Sequence, residues 1–130
     1  MSEIIVKSLK REEFIDITFD IENYLEEHNY KNGMLFLNTL HTTAALTINE
    51  NADPDLKKDL LKALDALIPN IKFDHAEGNS DAHLKSSLIG VSLSIPVVNG
   101  KLVKGTWQGV YFCEFDGPRS RKVILNFMPN

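Results

Sequence analysis

The residues with the densest potential for chemistry lie in the run His75–Ser87, which reads HAEGNSDAHLKSS. Its two histidines are eight positions apart, too far for two ligands on one helix turn, where metal-binding pairs are three or four residues apart. A Gly-Asn pair interrupts the run, which predicts a loop carrying His75 and Glu77 and then a helix with Ser80 as its N-cap. The loop imidazole and the helix imidazole of His83 can then converge, or both can be solvated on a surface loop.

A third histidine, His41, follows an apolar run at 33–40 and opens the polar triplet His-Thr-Thr. Neutral imidazoles suit Zn²⁺, and three of them with one open position make a site that activates water or polarises an oxygen. We therefore take His41, His75 and His83 as candidate metal ligands, with Glu50 or Glu77 as general base. The chain has no CxxC pair and no HExxH helix, so tertiary folding or a subunit boundary must assemble such a site.

The same region could instead bind a phosphate. Backbone N–H groups at the start of the predicted helix attract anions, and Lys85, Ser86, Ser87 and Arg119 add charge and hydroxyl donors. Arg119 follows a Gly-Pro turn, which fixes the start of its side chain and suits bidentate capture. Alternatively, Arg119 pairs with Asp116 or Glu114 and only holds its hairpin together.

Further polar residues cluster around two other strand ends. Asp53 before a proline is a good helix N-cap, but this does not account for the neighbouring Glu50 or for the asparagines beside it. Gln108 lies between Trp107 and a glycine, and glycine permits the close approach of a ligand. Glu114 alternates with an apolar neighbour, so a solvated face explains it.

Composition narrows the class of protein. A chain of 130 residues with 43% hydrophobic residues predicts a single globular domain over 1–130. The net charge of −4 argues against nucleic acid as a partner, because duplex binding requires many phosphate contacts by Lys and Arg. Cys113 has no cysteine to pair with and is expected to be a buried apolar residue. No signal peptide or membrane-spanning apolar run is recognisable, so the expectation is a cytoplasmic protein with no membrane partner.

Hydrophobic patterning supplies the elements that would position these residues. Apolar residues at three- and four-residue steps predict a helix over 54–68, and a second helix should run from 80 to about 90. A shorter helix over 21–28 is expected to have Asp20 as its cap, after an N-terminal β-hairpin over 4–19. The run 33–40 predicts a strand covered on both faces. Strands are expected at 44–48, 91–97, 101–105, 106–115 and 119–127; the segment 91–97 alternates cleanly, and Asn99-Gly100 is expected as a hairpin turn. The sum is an α+β fold of mostly antiparallel, β-sandwich-like sheets with two to three helices.

Several long motifs in order then carry a resemblance. HTTAALTINENAD from His41, the run AHLKSSLIG from Ala82, GTWQG from Gly105 and CEFDGPRSR from Cys113 resemble the YjbQ-like family, often called secondary thiamine-phosphate synthases. The resemblance implies a YjbQ-like fold, a homotrimer with pockets near subunit contacts, and weak thiamine-phosphate synthase activity. That reaction couples a hydroxymethylpyrimidine diphosphate to a thiazole phosphate with loss of pyrophosphate. The resemblance makes these residues candidates for a shared pocket: His41, Thr42, Asn49, Glu50, Asp53, His75, Glu77, His83, Lys85, Ser86, Gln108, Glu114 and Arg119.

Three functions remain open on the sequence. The first is a transferase for a small phosphorylated molecule, with a Mg²⁺-type ion on carboxylate oxygens and with Lys85 and Arg119 neutralising a diphosphate leaving group. The second is a metal-dependent hydrolase or lyase with the three-histidine Zn²⁺ site. The third is a non-catalytic trimeric binder of a small ligand, in which the polar clusters line subunit contacts.

Overall fold

The computed structural model describes residues 2–130. In chain order the elements are β1 (Ser2–Lys7), β2 (Glu13–Asp16), α1 (Thr18–Glu27), β3 (Gly33–Asn38), β4 (Ala44–Glu50), α2 (Pro54–Leu67), α3 (Ser80–Ile89), β5 (Ser92–Val98), β6 (Lys101–Leu102), β7 (Gln108–Glu114) and β8 (Ser120–Pro129).

The strands form two sheets that pack face to face. A five-stranded sheet has the order β1-β8-β3-β5-β6, a three-stranded sheet has the order β2-β7-β4, and their pairings are antiparallel. Leu35 and Leu125 from the larger sheet meet Leu46 and Phe112 from the smaller sheet in the main core, which also includes Ile21 of α1. This architecture confirms the predicted α+β class with mostly antiparallel sheets.

The second face of the three-stranded sheet is also buried. Tyr111 and Cys113 point away from the main core and pack with Leu64 of α2 and Ala82 of α3. Helices α2 and α3, the small sheet and the large sheet thus form successive layers, and β7 is buried on both faces. The expectation that Cys113 is a buried apolar residue is confirmed, and burial raises the pKa of its thiol.

Local sequence patterns correctly predicted helices α2 and α3 and the turn between β5 and β6. Asp53 caps α2 by accepting a hydrogen bond from the Asp55 N–H at 2.9 Å. The next helix spans Ser80–Ile89, but its N-cap is Asn79 and not Ser80. Asn99 and Gly100 both have positive φ, 52° and 77°, and close the β5–β6 hairpin as their dipeptide predicts.

Three expectations about the first half of the chain were wrong. The predicted N-terminal hairpin does not form, because β1 pairs with β8 and β2 pairs with β7, in different sheets. Helix α1 begins at Thr18, with Asp20 in its first turn rather than at the cap. Strand β3 is not covered on both faces, since Leu35 and Leu37 are buried while Phe36 is 39% exposed. Apolar alternation identifies a strand and its inner face, but it does not identify the pairing partner.

Within residues 2–130, the structure has no helix with the length and apolar character needed to cross a bilayer.

Candidate functional site

The candidate residues fall at opposite ends of the β4–β7 pair. Ala44 lies opposite Glu114 at one end of the ladder, and Glu50 lies opposite Gln108 at the other. With a rise of about 3.4 Å per residue, the two ends are about 20 Å apart. Among the candidate residues, Glu50 and Gln108 therefore lie far from Glu114 within one chain.

At the Glu50 end, polar side chains serve the local backbone. Gln108 Oε1 accepts the Gly105 N–H at 2.7 Å, and Asp53 caps α2. The Tyr111 hydroxyl donates to the Glu50 carbonyl oxygen at 3.1 Å. Burial, together with the nearby acids including Glu50, raises the pKa of Tyr111. These contacts position the start of α2 and the loop before β7.

At the other end, Glu114 and Arg121 form an ion pair inside the protein. Their side chains are 0% and 1% exposed. The Arg121 Nε donates to Glu114 Oε1 at 3.0 Å, and its terminal nitrogen donates to Oε2. Ser8 Oγ donates to the same carboxylate at 2.6 Å, and the Asp116 N–H donates at 3.1 Å. The solvated face expected for Glu114 was wrong, because β7 is packed on both sides.

His41 lies next to this pair and hydrogen-bonds to the backbone. Its Nε2 accepts the Lys122 N–H at 3.0 Å. Burial and the positive charge of Arg121 lower the pKa of His41, so the neutral imidazole is favoured. Arg121 also donates to the Thr43 carbonyl oxygen at 3.2 Å and to the Thr43 hydroxyl at 2.9 Å. Thr42, between them, is exposed.

The residues expected to bind phosphate are mostly engaged elsewhere. Lys85 is 1% exposed, and its ammonium donates to Glu12 at 2.7 Å and to Asp65. Ser86 Oγ donates to the Ala44 carbonyl oxygen at 2.7 Å, while Ser87 is exposed. These contacts hold α3 against α2 and the small sheet.

Arg119 has the alternative role that the sequence left open. Its Nε donates to the Asp116 carbonyl oxygen at 3.0 Å, and its terminal nitrogen donates to the Asp116 carboxylate at 3.1 Å. The same carboxylate accepts from the Asn79 amide at 2.9 Å. Arg119 thus binds within its own turn and ties that turn to the start of α3.

The two histidines of the run 75–87 do converge. The rings of His75 and His83 are 5.3 Å apart between centroids and nearly perpendicular, at 88°. His75 lies in the exposed loop before α3, and His83 lies in the first half of that helix. An open cleft of about 570 Å³ adjoins them, lined by Arg11, Phe73, His75, Gly78, Ser80 and Asp81. We call this cleft, together with His83, the histidine cleft.

Carboxylates dominate the charge beside the histidine cleft. Arg11 makes a two-bond contact with Asp81, at 3.1 and 3.2 Å, which raises the pKa of Arg11 and lowers that of Asp81. Glu12 lies 3.5 Å from the Arg11 guanidinium, and Asp116 lies 3.9 Å from it. One arginine faces three acids, so the local field favours a cation over a free anion.

The fit of a metal to these residues is partial. Two imidazoles on one tetrahedral zinc, with Zn–N bonds of about 2.0–2.1 Å, place their ring centroids about 5 Å apart, as in the His75–His83 pair. Across residues 2–130, however, no three His, Cys, Asp or Glu side chains are grouped as metal ligands. Within one chain the three histidines are therefore not brought together: His75 and His83 meet, while the His41 ring accepts the Lys122 N–H of β8.

Sequence reasoning missed Arg121, although a signal was available. Arg121 lies on the same face of β8 as the buried Val123 and Leu125, and Glu114 lies on the same face of β7 as the buried Phe112. An arginine and a glutamate at core-facing positions of neighbouring segments indicate a buried pair. Arg11 carried no comparable signal, because its contact with Asp81 spans 70 residues of sequence.

Comparisons with known proteins agree along the whole chain. A family profile described as UPF0047 protein YjbQ-like matches residues 2–130. The UPF0047 protein YugU of Bacillus subtilis is 50% identical over 125 residues, covering 95% of both chains. A UPF0047 protein of Methanocaldococcus jannaschii is 52% identical over 124 residues, covering 95% of this chain and 90% of the other. A crystal structure of an uncharacterised YjbQ/UPF0047 protein from Clostridium acetobutylicum superposes with a TM-score of 0.93 at 47% identity, covering 98% of this chain and all of the other.

Proposed function

The chain belongs to the UPF0047 YjbQ-like family, and we propose that it is a small-molecule enzyme that acts on a phosphorylated substrate at the histidine cleft with a divalent metal. The observation that supports this most directly is the 5.3 Å approach of the His75 and His83 rings beside an open cleft. Two imidazoles brought together from a loop and a helix, among carboxylates, are suited to a cation.

Four residues in or beside the cleft have distinct proposed parts. His75 and His83 would hold Zn²⁺ or a related ion, which supplies Lewis-acid polarisation of a phosphoryl oxygen or an activated water. Glu77 is two positions after His75 on the same exposed loop, so it is a better candidate for general base than Glu50 at the far end of β4. Arg11 also lines the cleft, but it already donates to Asp81, so a phosphate oxygen would have to share or displace that ion pair.

The phosphate role first considered for Lys85 and Arg119 becomes indirect. Both side chains already donate to carboxylates, so a phosphate would have to displace an ion pair to reach them. We propose that they fix the positions of α3 and of the turn after β7, which border the cleft. The transferase reaction to test first is still the coupling of a pyrimidine diphosphate to a thiazole phosphate, because pyrophosphate release is a direct readout.

We also propose that the chain works as a homotrimer. The outer face of the five-stranded sheet exposes Ile5, Phe36, Val98 and Met128, the last at 60%. An exposed apolar face of this kind is typical of a surface that another subunit covers. A trimer would also allow a second chain to complete the ligand set that one chain leaves at two histidines.

Metal content and turnover test the proposal together. Protein without an affinity tag should contain nearly one equivalent of Zn²⁺, and the His75→Ala and His83→Ala variants should lose both the metal and pyrophosphate release. His28→Ala is the matched control, because His28 is an exposed histidine that packs on Tyr24 and Tyr30, away from the cleft. It should keep both.

Two outcomes would redirect the interpretation. Metal retained in the His75→Ala/His83→Ala double variant would exclude the histidine cleft as the metal site. Ligand binding without turnover, measured by calorimetry with pyrophosphate and with thiazole phosphate, would favour the non-catalytic trimeric binder.

A further inference from the structure

His41 is held in a way that conflicts with its predicted role as the third metal ligand. Strand β3 ends at Asn38, which pairs with Ile124, while β8 continues toward its start at Ser120. Beyond the end of β3, the ring of His41 accepts the Lys122 N–H at 3.0 Å. The Thr39 hydroxyl donates to the Lys122 carbonyl oxygen at 3.2 Å. Because β3 ends before it reaches Lys122, the side chains of His41 and Thr39 take the place of a strand partner and satisfy the N–H and the carbonyl oxygen of Lys122.

We propose that His41 is a neutral imidazole of fixed tautomer, unprotonated at Nε2 and protonated at Nδ1, and that it does not bind metal. A ring nitrogen that accepts an N–H must carry a lone pair, so Nε2 is unprotonated and the proton of the neutral ring is on Nδ1.

Neither nitrogen of this ring suits a metal. Binding through Nε2 would displace the Lys122 N–H and leave a β8 backbone donor without its partner. Binding through Nδ1 would require the proton to move to Nε2, where it would face the Lys122 N–H, donor against donor. In contrast, the rings of His75 and His83 contact each other edge to face and have no comparable backbone bond.

The surroundings of His41 also favour the neutral form. The charges nearest to it belong to Arg119, Arg121, Lys122 and Glu114, so the cations outnumber the single acid. The ring is half-buried, which opposes a charge on it further.

Arg121 holds the backbone next to His41 in place. It contacts both the carbonyl oxygen and the hydroxyl of Thr43, two residues after His41, and it is anchored in turn by Glu114. The next residue in the chain is Lys122, whose N–H fixes the ring. One short segment of β8 thus holds both ends of the His41–Thr43 segment.

Nitrogen-15 NMR of the histidine side chains of the full-length protein tests the tautomer directly. At neutral pH, His41 should show a protonated Nδ1 and an unprotonated Nε2, whether or not Zn²⁺ is added. A protonated Nε2, or a shift of either His41 nitrogen to a metal-bound position on addition of Zn²⁺, would overturn the proposal.

A matched pair of variants separates the two sides of the ring. In His41→Gln the side-chain oxygen can take the place of Nε2 as acceptor, and the donor at Nδ1 is lost. In His41→Asn a donor remains near Nδ1, and the acceptor at Nε2 is lost. We expect the Asn variant to melt about 3–5 °C below the Gln variant, from the loss of one backbone hydrogen bond. Equal melting temperatures would contradict the Lys122 contact.

Zinc affinity distinguishes this proposal from the proposed function. His41→Gln should bind Zn²⁺ within about twofold of the parent, while His83→Ala should bind at least about tenfold more weakly. If no variant and no parent binds Zn²⁺, the metal enzyme fails but the tautomer of His41 still stands. If His41→Gln loses Zn²⁺ as His83→Ala does, the proposal for His41 fails.

Discussion

Replacing Glu114 with glutamine tests the role of the buried ion pair in this fold. The carboxylate accepts hydrogen bonds from Ser8 Oγ, from two nitrogens of Arg121 and from the Asp116 N–H. In Glu114→Gln an NH₂ group takes the place of one carboxylate oxygen and faces these same donors. Arg121, which is 1% exposed, then lacks its counter-charge inside the protein.

The expected loss of stability is large for one substitution. Breaking a buried ion pair by removing one partner costs about 3–5 kcal/mol. For a chain of 130 residues, each kcal/mol shifts the melting temperature by roughly 3–4 °C, so Glu114→Gln should melt about 10–20 °C below the parent. A paired replacement, Glu114→Leu with Arg121→Met, should cost much less than the sum of its single substitutions, because it leaves no charge unpaired.

The pH dependence gives a second and independent signature. Burial alone would raise the pKa of Glu114, but the hydrogen bonds from Arg121 and Ser8 outweigh it, and the pKa lies below its ordinary value. A depressed folded-state pKa contributes stability above the unfolded pKa of about 4.3, and this contribution is lost as pH falls through the folded value. The stability gap between the parent and Glu114→Gln should therefore be widest near neutral pH and should narrow below about pH 4.5.

Urea unfolding followed by circular dichroism, repeated from pH 3 to pH 7, measures both effects. Glu3→Gln is the matched control, because Glu3 makes an exposed 3.8 Å ion pair with Lys122 and its loss should cost at most about 1 kcal/mol. The reasoning is refuted if Glu114→Gln costs no more than Glu3→Gln. It is also refuted if the gap to the parent is unchanged at acid pH.

Three further predictions concern packing and reactivity. Gly33→Ala should lower the free energy of unfolding, measured by urea titration, by about 2 kcal/mol or more, because a Cβ at this position overlaps the Met128 carbonyl oxygen. An unchanged unfolding midpoint would contradict the close approach of β3 and β8. Cys113 should react with a thiol reagent only as fast as the protein unfolds, since the thiol is buried and its pKa is raised; rapid labelling under native conditions would argue against this packing. Lys85→Met should destabilise the fold by about 1–3 kcal/mol in the same titration, which is less than the loss for Glu114→Gln. The reason is that Asp65, one of the two carboxylate partners of Lys85, is largely exposed and can be solvated. A larger loss than for Glu114→Gln would reverse that ranking.

The sequence predicted best those features that neighbouring residues decide. Helix α2 follows from Asp53 at its cap and from apolar residues at helical spacing, and the β5–β6 hairpin follows from its Asn-Gly turn. The convergence of His75 with His83 was also predictable, because a loop and the helix directly after it can bring residues eight positions apart together. In each case the interacting groups are close along the chain.

Tertiary structure alone decided which strands pair and which charges meet. The pattern of β1 identifies its inner face, but its partner β8 lies more than one hundred residues away and was not predictable from local alternation. Lys85 was recognised as a basic residue near a helix start, and only the fold placed it against Glu12, 73 residues earlier. The types and spacing of the residues thus determined the candidate chemistry. Long-range packing determined the partners, because the pairing of a buried charge depends on distance in space and on exclusion of water.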